Sequence, residues 1–432
     1  MIEFAVEEET TTGTGGISLK VMGIGGAGGN AVNSMIEASD LSNVQFIAAN
    51  TDAQALNNSS ADHKIQLGKK ITKGLGAGSN PDVGRQAAEE DLNSILDYLA
   101  NTDILFLTAG LGGGTGSGAL PVIARAAKEL GILTIAVVTK PFLFEGKRRQ
   151  KHAEEALNNL EGAVDTLLVV PNQRLIEISD PNISMLGAFA LANDILRQAI
   201  KGISDIITKA GHINVDLADV RTIMTNTGIA IMGTGRATGI DRARQAAVRA
   251  ISSPLIENAS INGARGVLIN ITGASNLELQ EINQAASMIY EMASQEAIII
   301  LGSVIDETMG EDISITVIAT GLDRAALAQT ISIIPAATAA VPTVTQPALS
   351  EPEALPVVQE AVTDASLQAT QTSQQNDYAE QAQSLSDAAS QTIEPPSLTP
   401  DESFDMDSFD TPTFMRKKAT ESEAGNDEVQ EL

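Results

Sequence analysis

The sequence predicts an α/β protein whose first half is a doubly wound parallel sheet and whose second half is a smaller α+β subdomain. Between residues 17 and 183, short apolar runs alternate with amphipathic helical patterns, as they do when helices cover both faces of a parallel sheet. After residue 211 such runs are fewer and more widely separated. A long helical pattern at 184–209 lies between the two halves. Hydrophobic residues make up 43% of the 432 positions, which is enough for a large core.

The elements of the first half follow from these patterns. Apolar runs predict strands at 17–24, 44–49, 104–107, 132–139 and 164–170. A helix is predicted at 81–99, because Asn80 is a favoured N-cap and Pro81 fits the first helical position. A further helix is predicted at 151–160.

In the second half, strand-like patterns occur at 223–238, 266–271, 297–304 and 313–320. Helical patterns occur at 241–252 and 277–293. The first of these helices carries Arg242, Arg244 and Arg249, which are predicted to form a solvated face or a contact between subunits.

Three glycine-rich loops follow the first half's strands or precede its helices. They are Gly23-Ile-Gly-Gly-Ala-Gly-Gly29, the segment 73–81, and the segment 110–118, which has six glycines in nine positions. A helix that starts in such a loop directs free N–H groups and its positive dipole end at whatever the loop holds, most often a phosphate. Three loops at one sheet edge therefore predict a chain of phosphates held by backbone amides, with Thr115 and Ser117 adding hydroxyl donors.

Another class of protein remains open at this point. Gly23, Gly25 and Gly28 satisfy the dinucleotide fingerprint, and Asp52 ends the second strand, where an acid would bind a ribose hydroxyl. A nicotinamide-dependent oxidoreductase would use these residues but leaves the other two loops unexplained. The sequence contains no G-x-x-x-x-G-K-[ST] motif, which excludes a P-loop nucleoside triphosphatase.

Two further segments carry candidate chemistry. Residues 144–149 follow a strand and offer three cations and one carboxylate, which suits a polyanionic, hydroxylated ligand. Asp216 and Asp219 can share one helical face and could position a water molecule for attack on a phosphoanhydride. The same pair could instead form a helix start, with Asp216 as N-cap, and spacing alone does not separate the two interpretations.

The composition excludes several classes. A formal net charge of −28 argues against non-specific binding to nucleic acid or to anionic lipid. The absence of cysteine excludes disulfides and thiolate ligands and favours a reducing cytosol. The acidic N-terminus does not resemble a signal peptide, and the apolar runs are shorter than the ~20 residues that span a bilayer, so no direct membrane insertion is expected.

Both ends of the chain are predicted to lie outside the folded core. Residues 1–16 form a short polar arm, and 334–402 are rich in Ala, Pro, Thr, Gln and Ser, so both are predicted to be disordered. Residues 403–432 follow as a tail that contains Phe404, Phe409 and Phe414. Aromatic side chains in such a tail predict a segment that docks on a partner.

The motif Gly112-Gly-Gly-Thr-Gly-Ser-Gly118 resembles the signature loop of the tubulin/FtsZ family. The chain from Ile17 to Gly321, and again near Phe414, is similar to the bacterial cell-division GTPases of that family. The resemblance implies a GTP-binding domain at 17–183, a central helix at 184–210 and a C-terminal GTPase-activating subdomain at 211–333.

The resemblance also implies a set of nucleotide-binding residues, position by position. These are Gly25, Gly26, Ala27, Gly28, Gly29 and Asn30 in the first loop; Gly76, Ala77 and Gly78 at the γ-phosphate; Gly112, Gly113, Gly114, Thr115 and Gly116 at the α- and β-phosphates; Glu145 and Arg149 at ribose and phosphate; and Asn172, Phe189, Asn193 and Asp194 around the guanine base.

In this family the acid-bearing loop, here Asn214, Asp216 and Asp219, enters the active site of the next subunit. The resemblance therefore implies head-to-tail filaments that form the cell-division ring, with hydrolysis of GTP to GDP and phosphate only at the contacts between subunits, and with Mg²⁺ and K⁺ as ions. A nucleotide-binding scaffold without hydrolysis is the remaining alternative, which the acid pair disfavours.

The tail resembles the family's docking peptide at Asp410, Pro412, Phe414 and Arg416. The implied partners are FtsA, ZipA and Min-system inhibitors, and the implied location is the cytoplasm at mid-cell, with membrane association through partners. Thr411 stands where a branched apolar residue is usual, and the acidic extension after Ala419 is unusual.

Overall fold

The computed structural model describes residues 16–322, except 42, 181, 210, 254 and 256–260. The predicted arm, apart from Gly16, lies outside the described residues, as do the predicted linker at 334–402 and the tail at 403–432. The four tail positions predicted to dock partners, Asp410, Pro412, Phe414 and Arg416, therefore stay predictions.

The described chain forms ten strands and twelve α-helices, joined by short 3₁₀ turns. In chain order they are β1 (Leu19–Ile24), α1 (Gly25–Ala38), β2 (Val44–Asn50), α2 (Ala53–Asn57), β3 (His63–Gln66), α3 (Lys69–Thr72), α4 (Pro81–Glu90), α5 (Leu92–Leu99), β4 (Ile104–Gly110), α6 (Thr115–Glu129), β5 (Leu133–Lys140), α7 (Lys147–Leu160), β6 (Thr166–Pro171), α8 (Asn172–Ile178), α9 (Met185–Thr208), α10 (Leu217–Met224), β7 (Gly228–Thr238), α11 (Arg242–Ile251), β8 (Gly266–Gly273), α12 (Leu279–Met292), β9 (Ile298–Ile305) and β10 (Asp312–Thr320).

The strands form a continuous sheet in the order β3-β2-β1-β4-β5-β6-β7-β10-β8-β9. From β3 to β6 all neighbours are parallel. β7 joins the two halves, because Gly228–Ala230 pairs in parallel with β6 and the rest of the strand pairs antiparallel with β10. The carboxyl ends of β1, β2, β4, β5 and β6 consequently lie at one edge of the sheet, and their amino ends lie at the other.

Helices cover both faces of the parallel part, so the predicted doubly wound arrangement is confirmed. One core joins α1 and α9 to residues such as Phe106 and Ile135, and a second joins α6 and α7 to residues such as Leu105 and Leu107. The central helix α9 also packs on the second half, because the first core includes Leu268 of β8 and Ile318 of β10. Burying each of these large apolar side chains contributes about 2 kcal/mol.

Four short elements, α2, β3, α3 and α8, were not predicted, and two predicted elements have different bounds in the structure. The helix predicted at 81–99 is broken at Asp91, whose Oδ2 accepts a hydrogen bond of 2.6 Å from the Gly68 N–H. The predicted strand at 223–238 begins only at Gly228, because residues 223 and 224 end α10 and residues 225–227 connect it to the strand.

The prediction of a solvated arginine face is wrong for Arg242. This guanidinium is buried and donates to both carboxylate oxygens of Glu281 on α12, at 2.7 and 2.9 Å. These hydrogen bonds lower the pKa of Glu281 below its ordinary value. The sequence pattern of α11 does not indicate which helix packs against it. The ion pair between Arg242 and Glu281 was therefore not predictable from that pattern.

Candidate functional site

The three glycine loops meet at the carboxyl edge of the parallel sheet. A Cβ atom added to Gly25 in the first loop would lie 3.0 Å from the backbone nitrogen of Gly116 in the third. One added to Gly114 in the third loop would lie 2.9 Å from the Cβ of Ala77 in the second. The structure thus brings the three predicted loops into direct contact.

The glycines of these loops serve two different purposes. At Gly28, Gly114 and Gly116 an added Cβ would collide with backbone atoms of a neighbouring loop or strand at 2.4–2.8 Å, so glycine allows close packing there. At Gly26, Gly29 and Gly113, by contrast, an added Cβ would meet nothing within 4 Å. These three glycines leave a bare backbone surface facing open space, which is what the close approach of a ligand requires.

Positive φ angles account for several further loop glycines. Gly76 and Gly78 in the second loop have φ of 85° and 56°, and Gly112 in the third has φ of 100°. Ser117 fixes the third loop, because its Oγ accepts a hydrogen bond of 2.8 Å from the Gly112 N–H.

Two helices point their amino ends into this region without a side-chain cap. α1 begins at Gly25 and α6 begins at Thr115, and neither first turn receives a capping hydrogen bond from a side chain. Free N–H groups and positive dipole ends at helix starts favour the binding of an anion. Asn30, also predicted for this site, is exposed in the first turns of α1.

Glu145 and Arg149 lie beside the third loop, as a pair. Arg149 Nη1 donates to Glu145 Oε2 at 2.5 Å, and Glu145 Oε1 accepts from the Phe142 N–H at 2.9 Å. The backbone of Arg149 touches the third loop, because a Cβ added to Gly112 would lie 2.8 Å from the Arg149 carbonyl oxygen.

An aromatic group lies next to this pair. Phe142 and Phe144 stack with ring centroids 4.9 Å apart, and Phe189 on α9 meets Phe142 edge to face at 5.3 Å. Phe144 is largely exposed, whereas Phe142 is fully buried. The group offers a flat apolar surface for a planar ring. Of its members Phe189 was predicted to lie at the base, Phe144 was included only as the first residue of the 144–149 segment, and Phe142 was not predicted.

Asn172 is the first residue of α8 and follows the carboxyl end of β6 directly. Its side chain is buried, yet Oδ1 has no hydrogen-bond partner in the described part of the chain. An unpaired buried amide oxygen costs about 1–3 kcal/mol, so a ligand that donates to it would be favoured.

Asn193 and Asp194 lie on α9 near Phe189. The Asp194 carboxylate is engaged by its own helix, because it accepts from Arg197 at 2.6 Å and from Gln198 at 2.6 Å. Of the two predicted positions, Asn193 therefore has the freer side chain.

The acid loop lies at the opposite edge of the sheet. Arg221 on α10 donates to the carbonyl oxygens of Gly131 at 3.3 Å and Asp103 at 3.2 Å, which precede β5 and β4. The segment before α10 also bridges to β9 through Ile213 and Ser303. Because the glycine loops lie at the carboxyl ends of β1 and β4, the acid loop and the glycine loops are separated by the length of the strands.

The length of α9 gives the scale of this separation. Phe189 near its start contacts the aromatic group, and Thr208 at its end precedes the acid loop. Nineteen helical steps of about 1.5 Å correspond to roughly 28 Å. The acids therefore cannot reach the glycine loops of their own chain.

Within the acid loop the pair forms a helix start, and its role in positioning a water molecule stays a prediction. Asp216 is the N-cap of α10, since its Oδ1 accepts from the Asp219 N–H at 2.8 Å. Asn214 Oδ1 accepts from the Gly211 N–H at 2.9 Å. Asp219 is exposed, and its carboxylate has no partner among the described residues. Capping occupies one oxygen of Asp216 and leaves the Asp219 carboxylate free.

Asp52 does not project as a free acid. Its Oδ1 caps α2 by accepting from Gln54 and Ala55 at 2.9 and 3.1 Å. The side chain predicted for a ribose hydroxyl in a nicotinamide enzyme is thus occupied by its own helix. Its neighbour Thr51 is fully buried between the loops, a position that no sequence motif indicated.

Comparison with known families finds two matching profiles. The Tubulin/FtsZ family, GTPase domain, matches residues 18–180, and the FtsZ family, C-terminal domain, matches residues 228–323. A curated relative, the cell division protein FtsZ of Coxiella burnetii (strain RSA 493 / Nine Mile phase I), is 53% identical over 304 residues. The match covers 70% of this chain and 78% of that relative.

Solved structures agree with these matches. An empty FtsZ dimer from M. jannaschii is 42% identical with a TM-score of 0.68, covering 71% of this chain and 88% of that one. A GTPγS-bound protofilament of CetZ2 from Haloferax volcanii is 20% identical with a TM-score of 0.61, covering 73% of this chain and 96% of that one, and shares the fold.

Proposed function

The chain belongs to the tubulin/FtsZ family of GTPases, and from that premise we propose that it polymerises head to tail into the filaments of the bacterial cell-division ring. Each copy binds GTP at the edge lined by its glycine loops. Hydrolysis takes place only where the acid loop of a neighbouring copy completes the site, so that assembly activates the enzyme.

One observation carries this proposal: Asp219 and the glycine loops occupy opposite edges of the same sheet. If two copies are stacked along the strands of the parallel sheet, the acid loop of one copy lies against the glycine loops of the next. The contact joins two different surfaces, and repetition extends it into a filament. The dimer described for the M. jannaschii relative supports self-association.

The bound nucleotide follows the three loops. The amide groups of Gly26, Gly29 and Gly113, with the start of α6, would hold the α- and β-phosphates, and the second loop would hold the γ-phosphate. Glu145 and Arg149 would contact ribose and phosphate. Phe189 and its aromatic neighbours would flank the base.

Mg²⁺ fits this site as an ion held mainly by the nucleotide. The described residues contain no group of three or more His, Cys, Asp or Glu side chains that could enclose a metal ion. Mg²⁺ keeps several water ligands and uses phosphate oxygens with one or two carboxylates, so it needs no such group. The exposed carboxylates of Asp216 and Asp219 from the neighbouring copy could supply the one or two carboxylate ligands. The ion would neutralise phosphate charge, and K⁺ would be a further counter-ion.

The acid loop would act mainly by position. An ionised carboxylate is a weak base, so Asp219 would orient the attacking water rather than remove its proton early. Asn214 and Asp216 would hold the loop in shape through the hydrogen bonds to Gly211 and Asp219.

The tail would bind FtsA, ZipA and Min-system inhibitors through Asp410, Pro412, Phe414 and Arg416, and so bring filaments to the membrane at mid-cell. No helix in the described part of the chain is long and apolar enough to cross a bilayer. Nucleic acid is not expected as a partner, because the net charge is −28.

Asn172→Leu separates nucleotide binding from stability. The leucine removes an unpaired buried oxygen while keeping the branched shape of the side chain, so the empty protein is expected to melt a few degrees higher. GTP affinity is expected to fall about tenfold, because the hydrogen bond to the base is lost. Thermal melting with and without GTP measures both effects. If the variant is less stable when empty and its GTP affinity is unchanged, Asn172 does not contact the nucleotide.

The proposed function itself is tested by diluting the protein. If sites form only between copies, GTP turnover per molecule is expected to rise steeply with protein concentration and to vanish below a threshold. Phosphate release measured over a hundredfold range of concentration decides this. Turnover per molecule that stays constant on dilution would show that each copy hydrolyses GTP alone, and binding without any turnover would favour the scaffold alternative.

A further inference from the structure

Thr51 lies where the second and third glycine loops meet. It follows β2 and is fully buried. Its Oγ1 lies 2.7 Å from Oγ1 of Thr115, the first residue of α6. Its carbonyl oxygen accepts a hydrogen bond of 3.3 Å from the Gly76 N–H and lies 3.3 Å from Thr72 Oγ1, whose hydroxyl is shared with the Gly68 carbonyl oxygen at 3.0 Å. One residue therefore holds the start of α6 with its side chain and the second loop with its backbone.

The second loop is attached to the rest of the chain mainly around this point. Thr72 Oγ1 accepts from the Gly74 N–H at 3.2 Å, and the Gly74 carbonyl accepts from the Ala53 N–H at 3.0 Å. Asp52 and Leu75 form an isolated antiparallel bridge. The positive φ angles of Gly74 and Gly76 give this segment no regular structure of its own, so its position depends on these hydrogen bonds and on the packing of Ala77 and Asn80 against Gly114.

We propose that Thr51 is a positioning residue that holds the second loop in register with α6, and thereby sets affinity for the terminal phosphate of a nucleoside triphosphate. This inference rests on the proposed function. Thr51 is buried behind the loops and does not touch the ligand. Its effect on the second loop is transmitted through the Gly76 N–H and Thr72.

The proposal predicts a selective loss. Without the Thr51 hydroxyl, the backbone that holds Gly76 is no longer tied to α6, so the terminal-phosphate subsite is misplaced. Thr115 keeps its own hydroxyl for the phosphates next to it. Affinity for a triphosphate should therefore fall more than affinity for a diphosphate.

The test compares Thr51→Val with Thr51→Ser and with a matched control. Valine keeps the shape and removes the hydroxyl, whereas serine keeps the hydroxyl. The control is Thr108→Val on β4, which is equally buried but whose Oγ1 has no hydrogen-bond partner among the described residues. Affinities for GTPγS and GDP are measured without Mg²⁺, at protein concentrations too low for assembly.

Thr51→Val is expected to weaken GTPγS binding about fivefold and GDP binding less than twofold, which corresponds to the loss of one hydrogen bond in the triphosphate complex. Thr51→Ser and Thr108→Val are expected to match the wild type. Equal losses for the two nucleotides, or no loss for either, would overturn the proposal. If Thr51→Val does not fold, Thr72→Val tests the same link from the end of α3, because the Thr72 hydroxyl lies between the Thr51 carbonyl and the Gly74 N–H, and it should show the same selective loss. A wild-type protein that binds neither nucleotide would instead contradict the proposed function.

Discussion

Replacing Asp219 by alanine is expected to abolish GTP turnover, by at least a hundredfold, while GTP binding and thermal stability remain at the wild-type level. The carboxylate is exposed and has no partner among the described residues, so its removal costs the fold little. It lies at the opposite edge of the sheet from the glycine loops, so it cannot contribute to binding in its own chain. Loss of a group that positions the attacking water costs about 10²–10⁴-fold in rate.

Two variants of Asp216 separate the effect of the charge from the effect of the helix cap, because this residue has both roles. Asp216→Asn keeps an N-cap acceptor for the Asp219 N–H and removes the charge, whereas Asp216→Ala also removes the cap and costs about 1 kcal/mol. Turnover should fall in both variants and stability only in the second. If Asp219→Ala instead loses GTP binding together with stability, the acid loop has only a structural role.

Gly113→Ala and Gly118→Ala are expected to have opposite effects on binding and stability. An added Cβ at Gly113 meets nothing within 4 Å, so the fold is retained while the methyl group occupies the phosphate-facing surface. GTP affinity should fall about 10- to 100-fold, as expected for a steric overlap of 1–3 kcal/mol. At Gly118 the same atom would lie 1.9 Å from the carbonyl oxygen of Pro81, so α4 and α6 must separate and stability should fall by about 3 kcal/mol or more.

The two alanine variants are compared by urea unfolding and by nucleotide titration. An affinity for GTP that survives in Gly113→Ala would mean that the open surface at Gly113 does not face the phosphates. A stable Gly118→Ala would show that the contact between α4 and α6 can adjust.

Much of the architecture was predictable because its signal is local. Alternating apolar runs and helical patterns predict a doubly wound sheet from hydrophobic periodicity alone, and the structure confirms it. Short polar elements were missed, among them β3 (His63–Gln66), since four residues at a sheet edge carry little periodicity. The break at Asp91 depends on a hydrogen bond to Gly68, which is distant in sequence.

The family assignment was predictable from one motif, Gly112 to Gly118, and the comparisons confirm it. The reason for each glycine was not predictable. Gly113 and Gly114 are neighbours in the same motif, yet one faces open space and the other packs on Asn80. The role of Thr51 likewise depends on a contact between loops that are 64 positions apart.

The central claim is that one active site takes residues from two copies, and mixing two inactive variants tests it most directly. Asp219→Ala keeps its glycine loops, and Gly113→Ala keeps its acid loop. At GTP concentrations too low to fill Gly113→Ala, each variant alone should release almost no phosphate. In the mixture, the acid loop of Gly113→Ala meets the GTP held by Asp219→Ala, so turnover well above the sum of the separate samples is expected. Turnover equal to that sum, with sedimentation showing that the two variants bind each other, would contradict a shared site.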